Sequence, residues 1–206
     1  FGLTLAATTA IAGCASAEPE EEVAQSEDAI VGSLWGGWTP PLSGTPTVAG
    51  GSVADRSPAW EGGKSCAGGF KPGAAAIGQR LRKEFPGKIR ALGGYNCRPI
   101  VGNPERMSMH GTGRAIDVHV RLSDGDAVAD WIVRHAALLG VERVIWRKTH
   151  WMAVGVASIF FPYLSGDPHT DHIHLEVNAS AAESKDVCAS VAECVGDWLK
   201  GDADGE

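Results

Sequence analysis

Two short runs of the chain alternate apolar and polar residues with period two. From Ala115 to Val120, Ile116, Val118 and Val120 share one face, while Asp117 and His119 point to the other. From Ile173 to Val177, Ile173, Leu175 and Val177 line one face, and His172, His174 and Glu176 the opposite one. Both runs read as strands with one side in a core and the other carrying polar chemistry. Elsewhere the period changes. Ala74, Ile77, Leu81 and Phe85 recur at helical spacing, which predicts an amphipathic helix over Gly73 to Phe85, stopped by Pro86 and Gly87. Val128, Ile132 and Leu139 give Asp124 to Leu139 a second buried stripe. Ser123 with Asp126 three residues later predicts a capping box at its start, with Asp standing in for Glu, and Gly140 a C-cap at its end. Lys88 to Leu92, Val141 to Trp146 and Trp151 to Val156 read as short strands. The expected fold is α+β, a small mostly antiparallel sheet with helices packed on one face.

The ends of the chain have a different pattern. Phe1 to Gly13 is apolar, too short to span a bilayer, and reads as the hydrophobic part of a signal peptide. Ile11-Ala12-Gly13-Cys14 resembles a lipobox, in which Cys14 would be lipidated. Ordinary cleavage after Ala15-Ser16-Ala17 is the competing reading, and either one implies export. Glu18 to Asp28 is acidic, and Gly, Pro, Ser and Thr then dominate to about Pro58. Such a stretch cannot bury enough apolar surface to fold by itself. Trp35 and Trp38 interrupt it; they could stack on a sugar, but docking of a short segment onto the domain is the plainer reading. The expected organisation is a leader over 1–17, a linker over 18–58, the domain over 59–180, and a helical extension with an acidic tail over 181–206. The apolar stretch Met152 to Leu164 contains Gly155, Ser158 and Pro162 and is far short of a membrane span.

Charge narrows the class. Residues 1 to 55 hold seven acids and no Lys or Arg, while residues 56 to 206 hold 18 of each sign, so the formal charge of -7 is not the body's. A neutral body argues against a nucleic-acid binder relying on a basic face. Cys14 aside, four cysteines remain, Cys66, Cys97, Cys188 and Cys194, an even number that predicts two disulfides in an exported chain. Three pairings are possible. Cys66 with Cys97 and Cys188 with Cys194 is preferred, although Val187, Val191, Val195 and Leu199 have helical spacing. Six residues of helix rise about 9 Å, too far for the second bridge.

The candidate chemistry lies on the polar faces of the two alternating runs. His110 precedes Asp117 by seven positions, with Gly111 and Gly113 between them, so a loop turning through glycines can return the imidazole to the start of the strand. His174 is the expected third ligand. Two histidines and a carboxylate leave a fourth position open for water, the arrangement of a catalytic zinc site. Asp171 and His172 are then left over for proton transfer. His119 shares the face of Asp117 and could orient a ligand through its free ring nitrogen. His135 and His150 read as ordinary core or surface groups, and His169 could compete for the metal or contact substrate.

At these residues the chain resembles a known group. Ser108-x-His110-x-x-Gly113-x-Ala115-x-Asp117, with His172-x-His174 far downstream, looks like the zinc D,D-carboxypeptidase and L-alanyl-D-glutamate peptidase superfamily, which shares its metal site with lysostaphin-type endopeptidases and hedgehog domains. Gly94-Tyr95-Asn96-Cys97-Arg98-Pro99 and Asp171-His172-Ile173-His174 are similar to the extensin-like C-terminal domain of secreted bacterial proteins. The resemblance covers roughly Cys66 to Val177. It implies Zn2+ on His110, Asp117 and His174, and peptidoglycan stem peptides as substrate, with Ser108, Tyr95 and His169 near them. Arg98 would lie by the metal and bind a carbonyl or carboxylate; alternatively it is a surface guanidinium.

The resemblance leaves the base open. The carboxypeptidase branch would use Asp171 and the lysostaphin-like branch His172; on a strand Asp171 would point away from His174, but a loop there would release it, so Asp171 is preferred with His172 next. The implied protein is a monomeric metallopeptidase of the cell envelope, lipid-anchored or secreted, touching the membrane only through an N-terminal lipid. Two other classes fit the same residues: a non-catalytic module binding zinc or cell-wall peptides, and an envelope lipoprotein whose metal only stabilises the fold.

Overall fold

The computed structural model describes residues 35–41, 61–62, 66–154 and 157–184. The expectations for Cys14, for the leader, for Cys188 and Cys194 and for the acidic tail lie outside them. In chain order the elements are α1 (Pro72–Glu84), β1 (Ala91–Gly93), β2 (Pro99–Ile100), β3 (Asn103–Met107), a 3-10 turn (Met109–Thr112), β4 (Ala115–His119), α2 (Leu122–Arg134) and α3 (Ala136–Leu139). They continue with β5 (Val141–Trp146), β6 (Thr149–Val154), β7 (Ala157–Pro162), β8 (His172–Val177) and α4 (Ala179–Glu183).

Six strands form one sheet in the order β1-β4-β8-β5-β6-β7, antiparallel throughout, while β2 and β3 make a separate small hairpin. The alternation seen in the sequence sets how the sheet is oriented. Ile116, Val118, Ile173, Leu175 and Val177 are fully buried on one face, together with Val144, Trp146 and Trp151 of the neighbouring strands. Against that face pack the stripes Ala74, Ile77 and Leu81 of α1 and Val128, Ala129, Ile132 and Val133 of α2, in a single core. The α+β arrangement with helices on one side is therefore observed. On the other side, cross-strand pairing lines up Gly93, Asp117, His174, Ile145, His150 and Phe161 in one row across the sheet.

Local details depart from the sequence pattern. The capping box does not form: Arg121 occupies the N-cap of α2 without a side-chain cap bond, and Ser123 lies inside the helix. Asp126 is drawn instead to the sheet, where it accepts from Trp146 Nε1 (2.7 Å) and from Arg147 Nη2 (2.8 Å). The helix expected to run to Leu139 breaks at His135, whose backbone leaves helical geometry, and Ala136–Leu139 forms a separate turn ended by Gly140 in the left-handed region. The strand expected over Lys88 to Leu92 is shifted to Ala91–Gly93, because ladder pairing starts only where His119 of β4 stands opposite.

Trp35 and Trp38 dock. Trp38 is 1 % exposed and donates from Nε1 to Asp130 Oδ1 (2.7 Å), while Trp35 donates to Thr149 Oγ1 (3.1 Å) and leans on the Phe160 ring. This short segment covers α2 and the hairpin formed by β6 and β7. Burial pushes the Asp130 carboxyl up, with the Trp38 hydrogen bond opposing it. At the other end α4, capped by Asn178 Oδ1 accepting from Ala181 N (2.7 Å), lies against α1, and the described fold runs on to Ser184. No described helix is long and apolar enough to cross a membrane.

Candidate metal centre

His110 reaches its position through a tight turn. Ser108 caps that turn, its Oγ accepting from His110 N at 3.4 Å, and the turn closes at Gly113 in the left-handed region. A Cβ at Gly113 would stand 2.3 Å from the Gly69 carbonyl, so only glycine fits. Two neighbouring segments hold the turn. Ala67 N donates to Gly111 O (2.8 Å) and Asn96 N to His110 O (3.2 Å), and the disulfide between Cys66 and Cys97 joins these segments, as the sequence pairing expected.

Asp117 and His174 face each other across the pairing of β4 with β8. His174 Nδ1 lies 3.0 Å from Asp117 Oδ1, and His110 Nε2 lies 3.2 Å from Asp117 Oδ2. One potential ligand atom from each of the three residues lies within 4.8 Å of the others. The outward-facing nitrogens are fixed by their partners. His110 Nδ1 donates to the Gly94 carbonyl at 2.7 Å, which turns Nε2 toward the cluster. His174 Nε2 meets Glu176 Oε1 at 3.2 Å, and Glu176 is held in turn by Arg143 Nη1 at 3.0 Å. Each histidine thus presents one nitrogen inward and anchors the other to a carbonyl or a carboxylate, the arrangement that orients metal-binding imidazoles.

Electrostatics agree with that arrangement. Burial works against the ionised form of Asp117, but hydrogen bonds from His110 and His174 outweigh it and hold the carboxyl well below the usual carboxylate range. Burial also disfavours a charged His174, yet the bonds to Asp117 and Glu176 prevail and push it up to about 9. Buried Glu176 stays ionised because His174 and Arg143 oppose its desolvation. This is a negative pocket around a proton that a cation can replace. His150, further along the same row, is pushed down to about 4 by burial and the nearby Arg143, so it stays neutral.

A second group lies at the rim. Asp171 is exposed and its Oδ1 accepts from His172 Nδ1 at 2.7 Å, which leaves His172 Nε2 4.0 Å from Asp117 Oδ1. His172 and its hydrogen bond depress the Asp171 carboxyl. The His169 ring stands 4.6 Å from that of His172, and the ring of His119, paired with His172 across the ladder, lies tilted against it at 5.4 Å. Among the other expected site residues, Ser108 is buried beneath His110. Arg98 donates from Nη1 to Pro99 O (3.2 Å), and Tyr95 lies half-buried beside Gly94. Glu176 and Arg143 were given no role from the sequence. Period two had put Glu176 on the metal face; only the register shows that it touches His174.

Fold and cluster define an α+β domain with a His/Asp site able to hold a metal ion. A family model described as VldE, C-terminal domain, matches residues 66–174, just over half of the chain, and the chain belongs to that family. No curated protein and no solved structure matches it.

Proposed function

We propose that this protein is an exported zinc-dependent peptidase that hydrolyses peptide bonds in peptidoglycan stem peptides. The observation that carries this reading is the convergence of His110, Asp117 and His174, each oriented by a partner, beside a His172–Asp171 pair that none of them needs. Two imidazoles and one carboxylate are a zinc donor set with a position left over. A zinc ion held there would supply a Lewis acid for the scissile carbonyl and an acidified water.

The chain's own residues divide the remaining work. Asp171 holds the Nδ1 proton of His172, so the Nε2 lone pair is free to take the proton of the attacking water and return it to the leaving amine. Asp171 is exposed and turned toward His172, which favours the histidine as base and the carboxylate as its orienting partner. Gly94 and Glu176 keep the ligand rings from rotating. The substrate class rests on the resemblance to D,D-carboxypeptidases and extensin-like domains. The envelope location rests on the apolar leader and Cys14, and a monomeric state is part of the same proposal.

The test is metal analysis of the purified full chain together with product detection on peptidoglycan fragments. One zinc per chain with released D-amino acid or stem peptide is expected. Zinc without products would favour a binding module instead, and absence of zinc would remove the premise.

A further inference from the structure

The rim group has features that proton transfer does not explain. His169 is not glycine, yet its φ is +50°, an uncommon conformation for a residue with a side chain. The surroundings here are specific. His169 O accepts from Arg147 N (2.7 Å) and Pro168 O from Lys148 N (2.9 Å), which fastens the loop to the turn between β5 and β6. Asp167 then grips His169 twice: Oδ1 accepts from the backbone N (2.9 Å), and the carbonyl accepts from Nδ1 (2.9 Å). That last bond places the ring proton on Nδ1 and the lone pair on Nε2. Asp171 does the same for His172. The ring of His169 is 7 % exposed and flanked edge-on by Tyr163. One potential ligand atom from each of Asp167, His169 and His172 lies within 4.8 Å of the others.

We propose that Asp167, His169 and His172 form a second divalent-cation site, weaker than the first, whose occupation silences the enzyme. The inference rests on the reading of His172 as the base. The donor set again combines two imidazoles with one carboxylate, which suits zinc and related transition metals. Arg147, whose backbone N holds the loop, has its guanidinium paired with Asp126 and so does not oppose a cation with an unbalanced charge. Weaker binding follows from position. Asp167 is exposed, and His172 Nε2 stands only 4.0 Å from a ligand oxygen of the inner cluster, so two ions would repel at short range. Inhibition follows from chemistry. A cation on His172 Nε2 uses the lone pair that must accept the water's proton, so excess zinc suppresses turnover while the inner site stays filled.

The experiment is titration of the metal-free full chain with Co2+, followed by visible absorption and calorimetry. Two binding events are expected in the native protein. Asp167→Ala should weaken the second by roughly 100-fold or more and leave the first unchanged. His169→Asn, which tolerates the left-handed backbone, should do the same. His110→Ala should remove the tight event and spare the weak one. A single event in the native protein, or a second event that survives both Asp167→Ala and His169→Asn, would overturn the proposal. These readouts judge the second site even if no peptide is hydrolysed, so its failure and that of the peptidase reading are told apart. Where hydrolysis is seen, excess Zn2+ should inhibit the native protein and not Asp167→Ala.

Discussion

The inner cluster, His110, Asp117 and His174, and the rim group, Asp167, His169, Asp171 and His172, contain the same kinds of side chain within a few ångströms of each other. They are built differently. Asp117 and His174 stand on adjacent strands of a sheet buried beneath by α1 and α2, and the buried His110 and His174 rings each have a fixed outer partner. The rim residues sit on a loop and at the first position of β8, with the carboxylates of Asp167 and Asp171 60 and 71 % exposed beside the rings. On the proposed function, burial rather than residue type separates a ligand from an acid–base group. In the interior the outer ring nitrogens are committed to a carbonyl and a carboxylate, whereas at the rim the Nε2 of His172 has no such partner among the described residues.

Removing the carboxylate that both inner histidines share should have the largest effect. Asp117→Ala should lower zinc affinity by more than the roughly 100-fold that loss of an outer partner costs, and abolish turnover. Stoichiometric zinc in the purified variant would refute the assignment. His172→Ala should retain zinc yet lose about 100- to 10,000-fold in kcat, with Asp171→Asn falling less; equal hydrolysis in all three proteins would sink the acid–base role. Glu176→Gln tests whether the outer partner matters: zinc affinity should drop about 10- to 100-fold with the fold intact, as read by equilibrium dialysis.

The smallest effect is a pH trend in the metal-free protein. His174 is raised from 6.5 to about 9 on folding, so the stability it contributes is fully present below pH 6.5 and is lost as pH rises towards 9. Thermal unfolding of metal-free and zinc-loaded protein across that window should diverge, since zinc occupies the nitrogen that would carry the proton. Parallel curves would show that zinc does not use His174.

How much of this was legible depended on whether the signal was local. Period two placed Asp117 and His174 on the faces where they lie, and the glycines after His110 marked its turn, because these are properties of a few adjacent residues. The hairpin of β2 and β3 was missed: Pro99 and a run of exposed polar residues hide it, and only pairing defines it. Asp126 read as a cap and became a partner of Trp146, twenty residues away, because a buried indole N–H needs an acceptor. Trp38 could be expected to dock, but not to find Asp130. The Glu176–Arg143 support depends on register between β8 and β5, which includes a bulge that no local pattern predicts.

The bridge between Cys66 and Cys97 would give the proposed centre an order of assembly. It closes a span of 31 residues, worth about 4 kcal/mol of chain entropy, and joins the two segments that hold the turn bearing His110. Without the bridge, that turn is tied to the two segments by hydrogen bonds alone, among them Ala67 N to Gly111 O, Asn96 N to His110 O and Ser108 N to Arg98 O. If zinc binds as proposed, a chain whose thiols are still reduced should compete for it less well than one whose thiols have joined. Replacing both cysteines by serine should keep the six-stranded sheet but weaken zinc binding, so that oxidation acts as a timer on when the centre is loaded.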